Sequence, residues 1–226
     1  MFVKICGVTT EEDALLSVAM GADALGFNFV PGSVRQLSPV AARDIVRRLP
    51  GGVLTVGIFR NELRSRVVEI VHEVGLQAAQ LHGNETAADS AWIAERVPST
   101  IKVFAAGDPG LDRLSDYGAS RVLVDAPQGG SGQVFDWTML DGRERGLPLI
   151  LAGGLRPDNV AQAIRTVRPW GVDVASGVEA SPGRKDATLV REFIANARQA
   201  GQQLADEEAS DAPPVSGGRP YDWREE

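Results

Sequence analysis

No apolar run in the 226-residue sequence approaches the roughly 20 residues that a membrane-spanning helix needs. Residues 1–20 also lack a basic start followed by an apolar stretch and a small-residue cleavage site. Both absences argue against a membrane protein or an exported one, so a cytoplasmic location is expected. Excess positive charge is missing too, because the formal net charge is −7, without the basic footprint of a general nucleic-acid binder. Cysteine occurs once, at Cys6, which excludes an intramolecular disulfide. That leaves a thiol that is either a small buried hydrophobe or a reactive group.

The negative charge is concentrated at one end. Residues 199–226 hold seven acids (Asp206, Glu207, Glu208, Asp211, Asp222, Glu225, Glu226) against two arginines (Arg219, Arg224), which is −5 of the −7. The stretch QQLADEEASDAPPVSGG is polar, acidic and rich in Pro, Gly and Ser. Such a composition buries too little apolar surface to offset chain entropy, so 199–226 is expected to be a disordered acidic tail. Within it, Pro220-Tyr221-Asp222-Trp223 puts two aromatics in an otherwise solvated segment and is a candidate docking motif.

With 43% hydrophobic residues, the remaining 1–198 can bury a full core as one domain. Short Val/Ile/Leu-rich runs recur along it: FVKI at 2–5, ADALGFNF ending at Phe29, VLTVGIF at 53–59, AAQL at 78–81, TIKVF at 100–104, RVLVD at 121–125, PLILA at 148–152 and GVDVA at 171–175. Near-continuous apolar runs of this kind belong to parallel strands buried on both faces, and each intervening segment is long enough for a returning helix. Pro39–Arg48 and Glu62–Val74 carry helical spacing. Eight β units, each followed by α, fit an α/β fold of the (β/α)8 TIM-barrel class.

In such a barrel the chemistry sits at the C-terminal ends of the strands. Cys6 follows the first run, Arg35 lies in the loop after the second, and His82 closes the fourth. Asp125 ends the sixth, ahead of the glycine-rich Gln128–Gly132 segment. Gly153 and Gly154 follow the seventh run, and Ser176 and Gly177 the eighth. Glycines at these last two positions let backbone N–H groups approach an anion, so Gly153, Gly154, Ser176 and Gly177 are candidate phosphate donors. Asp125, flanked by apolar RVLV, is a candidate general acid, since partial desolvation favours the proton-bearing form. Arg35 stands in a loop otherwise short of charge and can hold a carboxylate by two parallel hydrogen bonds. His82 is a weaker candidate, either a base or a hydrogen-bonded structural residue.

The motifs VKICGVTT (3–10), GADALGFNFVPGSVRQLSP (21–39), VGIF (56–59), QLHGNE (80–85), DAPQGGSGQVFDW (125–137), LAGGLRPDNV (151–160) and VDVASGVEASPGRKD (172–186) occur in this order. In that order they resemble the phosphoribosylanthranilate isomerases of tryptophan biosynthesis. The resemblance implies a phosphate-binding barrel that converts N-(5-phosphoribosyl)anthranilate into 1-(2-carboxyphenylamino)-1-deoxyribulose 5-phosphate by an Amadori rearrangement, without cofactor or metal. It implies Cys6 as general base, Asp125 as general acid and Arg35 as the anchor of the anthranilate carboxylate, with Asp173 at a polar substrate-contacting position. The implied partner is a small phosphorylated aminosugar, with neither nucleic acid nor membrane, bound by a monomer or homodimer. Ala175 departs from the serine more common in the family and leaves only backbone donors there.

Two other readings stay open at this stage. One is a related aldose-ketose isomerase of histidine biosynthesis, or an enzyme accepting both substrates. That relative pairs two aspartates, whereas the first run here ends in cysteine. The other is a non-catalytic phosphate-ligand-binding barrel, in which the Cys6/Asp125 pair has no reason to persist.

Overall fold

The computed structural model describes residues 1–126, 135–140 and 146–211. The glycine-rich segment Gln128–Gly132 and residues 212–226, with their Pro-Tyr-Asp-Trp motif, lie outside the described residues. Eight parallel strands close on themselves: β1 (Phe2–Cys6), β2 (Ala24–Asn28), β3 (Leu54–Phe59), β4 (Ala78–Leu81), β5 (Thr100–Ala105), β6 (Arg121–Asp125), β7 (Leu149–Leu151) and β8 (Gly171–Val174). Each expected run is a strand, and the closed parallel barrel is the (β/α)8 class read from the pattern.

Closure is made by β8 against β1, which pairs Phe2 with Gly171 and Ile5 with Val174. The strands are buried on both faces, which is why their sequences alternate so little. Inside the barrel, Ala24, Val56, Ala78, Ile101, Leu123 and Ile150 pack together. Outside, Val3, Leu25, Leu81, Val122 and Val172 face helix residues such as Ala14, Val71, Ile93 and Phe193.

The helices are α1 (Glu11–Ala19), α2 (Pro39–Val46), α3 (Arg64–Val74), α4 (Ala87–Ala94), α5 (Val160–Val167) and α6 (Ala187–Asp211). Thr10, Ser38 and Thr86 cap α1, α2 and α4 by accepting from the N–H three residues on. Gly75 ends α3 in the left-handed conformation, at φ +79°. The expected alternation fails after β5, where residues Pro109–Tyr117 form a 3-10 segment. Asp108 caps it through Gly110 N–H at 2.7 Å, Pro109 opens it, Arg113 breaks it with non-helical angles of φ −133° and ψ 37°, and Gly118 stops it at φ +61°. After β6, the described residues hold a second 3-10 turn, Trp137–Leu140.

Two further features depart from the sequence expectations. The first is a two-stranded ribbon, β9 (Glu179–Ser181) and β10 (Arg184–Lys185), turned by Pro182 and by Gly183 at φ +82°. Gly183 accepts a hydrogen bond from the Thr9 hydroxyl at 2.6 Å, which holds the ribbon over the mouth of the barrel beside the β1 loop. The second is α6, which runs through residue 199, so the expected start of the disordered tail at 199 is corrected: residues 199–211 are helical. The reason is packing. Ala200 and Leu204 continue the buried stripe of Val190, Phe193 and Ala197, and the acids at 206–208 sit on the exposed face. No described helix is long and apolar enough to cross a membrane.

Leu204 is 7% exposed, so Leu204→Ala should cost about 2 kcal/mol of stability and lower the melting temperature by roughly 4–8 °C. Circular dichroism melting checks this. An unchanged melt would return residues 199–211 to the solvated tail.

Candidate active site

Cys6 ends β1 and pairs in register with Gly26 of β2. The glycine is needed there, because a Cβ at Gly26 would lie 2.8 Å from the Cys6 sulfur. The next residue, Gly7, takes φ +73°, and a Cβ on it would strike the Arg35 side chain. Arg35 therefore lies across Gly7, beside the thiol. Burial pushes the Cys6 thiol above its ordinary pKa, and the ammonium groups of Lys4 and Lys185 oppose that shift without cancelling it.

Those two lysines are the most consequential charges that the sequence reading passed over. Lys4 is 0% exposed, two residues before Cys6 and on the same inward face. Its Nζ lies 2.8 Å from Asp173 Oδ1. Asp173, expected to touch substrate, thus already has a protein partner across the β1–β8 seam. Lys185, in β10, donates to the Cys6 carbonyl at 2.6 Å, to the Ala175 carbonyl at 3.0 Å and to Glu179 Oε1 at 3.1 Å. Burial lowers its pKa, with Glu179 pulling the other way.

Arg35 is not a free rim cation. Its Nε and Nη2 each donate to a Glu179 carboxylate oxygen, both at 2.7 Å, in the side-on geometry of a bidentate pair. The shortage of charge in its own loop is a poor guide to its partner, which comes from the ribbon, 144 residues away. Burial pushes the Glu179 carboxyl up, but Arg35 and Lys185 outweigh it and hold the group below the usual carboxylate range.

Across the mouth, Asp125 ends β6 and is 7% exposed. Its Oδ1 accepts from the Ala126 N–H at 2.8 Å, and its Oδ2 lies 3.3 Å from His82 Nε2. His82 Nδ1 in turn lies 3.4 Å from the Gln80 amide nitrogen. His82 therefore touches the candidate acid itself. Gly153, at φ +88°, closes on the same group, since a Cβ there would lie 3.1 Å from Asp125 Oδ1 and 2.6 Å from Ala126 N. The glycine read as a phosphate donor is also what lets the β7 loop approach the carboxyl.

Gly154, at φ +63°, presents its carbonyl to the Asn159 side chain at 3.0 Å, and Asn159 also accepts from Arg156 N–H. Ser176 and Gly177 open a 3-10 turn after β8. Gly177 is sterically required, because a Cβ would collide with the Leu155 carbonyl. The β7 and β8 loops thus pack on one another, with Ser176 exposed.

A cavity of about 800 Å³ opens at the mouth between β2 and β6, lined among others by Arg35, Asn61, His82, Lys102 and Asp125. Cys6 and the four candidate phosphate donors are not part of this lining and lie toward β7, β8 and β1. Lys102, another mid-strand lysine, braces the cavity wall. Its Nζ bonds Glu85 at 2.7 Å and the Gly83 carbonyl at 2.8 Å, and Glu85 accepts from the N–H groups of Asn61 and Gly83. This fixes the loop that carries His82.

Comparison with known proteins identifies the scaffold. The model of the N-(5'-phosphoribosyl)anthranilate (PRA) isomerase family matches residues 3–196. The N-(5'-phosphoribosyl)anthranilate isomerase of Trichlorobacter lovleyi is 47% identical over 203 residues, covering 88% of this chain and 98% of the relative. The crystal structure of phosphoribosyl anthranilate isomerase from Thermotoga maritima superposes with a TM-score of 0.82 at 44% identity, over 88% of this chain and 99% of that one. A phosphoribosyl anthranilate isomerase in complex with reduced 1-(o-carboxyphenylamino)-1-deoxyribulose 5-phosphate superposes with a TM-score of 0.80 at 44% identity, over the same shares. On the extent of these matches, this chain belongs to the N-(5'-phosphoribosyl)anthranilate isomerase family.

Proposed function

We propose that the chain performs the isomerisation step of tryptophan biosynthesis, with Cys6 as general base, Asp125 as general acid and Arg35 as anchor of the anthranilate carboxylate. The observation that carries the residue assignment is one barrel mouth holding a thiol at the end of β1 and a buried carboxyl at the end of β6. β7 and β8 lie between these strands and contribute glycine-bearing loops suited to a phosphate. A thiol that must stay reduced also suits the cytoplasm. We favour a monomer or homodimer.

In this reading Asp125 gives its proton to the ribose ring oxygen as the C1–O bond breaks, leaving an open-chain protonated Schiff base. The positive nitrogen acidifies the C2 proton, which the Cys6 thiolate takes while the C2–H electron pair moves to form the C1=C2 bond of an enolamine. Proton gain at C1 and loss from the C2 hydroxyl yield the ketone. Donor and acceptor stand on different sides of the mouth, so each acts on a different atom without a shared proton. His82 contacts the acid and Lys4 the environment of the base, so we assign both to positioning. Gly153, Gly154, Ser176 and Gly177 are assigned to the phosphate, and Asp173 to holding Lys4 rather than to substrate.

Cys6→Ala should leave the melting curve native and reduce kcat/KM by about a hundredfold to ten-thousandfold. Because burial pushes the thiol up, the reactive thiolate is a minority at neutral pH. The free parent thiol should therefore be alkylated faster as the pH is raised through the alkaline range, and the alanine variant should not be alkylated. Steady-state kinetics checks the loss of rate and iodoacetamide labelling over a pH series checks the thiol, and near-parental turnover in the variant would remove Cys6 from the chemistry.

Asp125→Asn keeps the shape and deletes the transferable proton. Its kcat should collapse with little change in affinity for the reduced product analogue, as for an interaction made in the transition state. A variant that binds poorly but turns over at the parental rate would make Asp125 a binding residue.

Arg35→Met removes the guanidinium and keeps much of the apolar stem. Affinity for the reduced product analogue should fall on the order of ten- to a hundredfold, while binding of a ribose phosphate without the aryl ring stays intact. Calorimetric titration with the two ligands separates the cases, and equal weakening toward both would assign Arg35 to the fold or the phosphate.

A further inference from the structure

Arg35 has five N–H donors in a planar fork. Glu179 occupies the Nε and Nη2 edge at 2.7 Å each, and Arg35 lines the cavity whereas Glu179 does not. Among the described residues no partner takes the edge formed by Nη1 and the second Nη2 proton, and that edge is the one offered to a ligand. Glu179 is itself held. Lys185 reaches it at 3.1 Å and spends its other two bonds on the main-chain carbonyls of Cys6 and Ala175. The three charges therefore form a chain of contacts from the arginine to the backbone of the residue assigned as base.

Every link in that chain has a steric reason. Gly7 lacks the Cβ that would displace Arg35. The Pro182-Gly183 turn folds β10 back on β9, which puts Lys185 beside Glu179. The Thr9 hydroxyl fixes that turn through the Gly183 carbonyl. The Glu179 side chain is 5% exposed, so water offers the carboxylate no alternative partners.

From this geometry we infer that Glu179 is a positioning residue for substrate selection: anchored by Lys185, it turns the free edge of Arg35 toward the cavity, so that the site prefers a ligand whose aryl ring bears a carboxylate. A planar, bidentate acceptor fits the remaining edge. With its other edge neutralised, the guanidinium offers one charge-assisted seat at a fixed distance from Cys6. The inference rests on the assignment of Arg35 to the substrate carboxylate and adds the residue that orients it.

The test uses the full chain and two ligands, the reduced product analogue and its counterpart with a phenyl ring lacking the carboxyl group, titrated calorimetrically alongside steady-state kinetics. The parent should prefer the carboxylated ligand, and Arg35→Met should abolish that preference. Glu179→Gln should weaken the carboxylated ligand about tenfold and leave the other unchanged, raising KM far more than it lowers kcat. In the Arg35→Met background, Glu179→Gln should have no further effect on preference. Glu179→Asp keeps the charge opposite Lys185 but withdraws the carboxylate by one methylene, and should lose preference in the same direction; it serves if the glutamine variant melts early. Unchanged or tighter binding of the carboxylated ligand would make Glu179 a bystander or a competitor for Arg35 and overturn the inference, as would equal weakening of both ligands. A parent without preference, or an Arg35→Met variant that keeps it, would instead overturn the assignment of Arg35 itself.

Discussion

Closure of the sheet between β8 and β1 is the constraint on which the rest of this molecule depends. It places Lys4 directly beside Asp173 in register, and their 2.8 Å ion pair crosses the seam inside the barrel. Neither charge would be tolerated alone in that interior, where an unpaired ion costs several kcal/mol. Paired, they hold the first and last strands together at the level just below the mouth. The same closure brings residues 6 and 185 together, although 179 positions separate them along the chain.

The mouth is organised by buried lysines in a way that hydrophobic packing does not require. Lys4, Lys102 and Lys185 are each under 10% exposed, and each neutralises one acid: Asp173, Glu85 and Glu179. Lys102 and Lys185 also take up main-chain carbonyls at strand ends, at Gly83 and at Cys6 respectively. Carbonyls at the C-terminal ends of parallel strands have no further strand to donate to them, and a buried ammonium supplies the missing donor. The loops after β1, β4 and β8 are thereby tied by hydrogen bonds to buried side chains of the protein itself, which suits general acid–base catalysis at fixed positions. Burial without full compensation keeps Cys6 protonated at rest, so the thiolate belongs to the reactive state and the thiol to the stable one.

The sequence was most legible where one physical rule dominated. Apolar runs marked all eight strands to within a residue or two, because both faces of a parallel barrel exclude water. Gly7 and Gly153 were readable as glycines, but their reasons, clearance for Arg35 and for Asp125, exist only once distant loops meet. Pairing across 144 residues, as between Arg35 and Glu179, has no periodic signature. Its one visible hint was local: lysines at positions 4 and 102 interrupt runs that should be wholly apolar, and a charge in the middle of a buried strand needs a partner. The acidic composition of 206–208 concealed the apolar stripe of Ala200 and Leu204 that extends α6, since mean polarity averages over two faces that a helix keeps apart.

The position of one bound ligand decides between these roles. A crystal structure of this chain with the reduced product analogue should place the ring carboxylate on the free edge of Arg35 at about 2.7–2.9 Å, with the Arg35–Glu179 pair still closed. Cys6 should face sugar carbon C2 from one side, Asp125 should approach the sugar oxygen from the other, and the phosphate should lie against Gly153, Gly154, Ser176 and Gly177. A carboxylate held elsewhere, or a sugar that leaves Cys6 and Asp125 on the same face or out of reach, would contradict these roles.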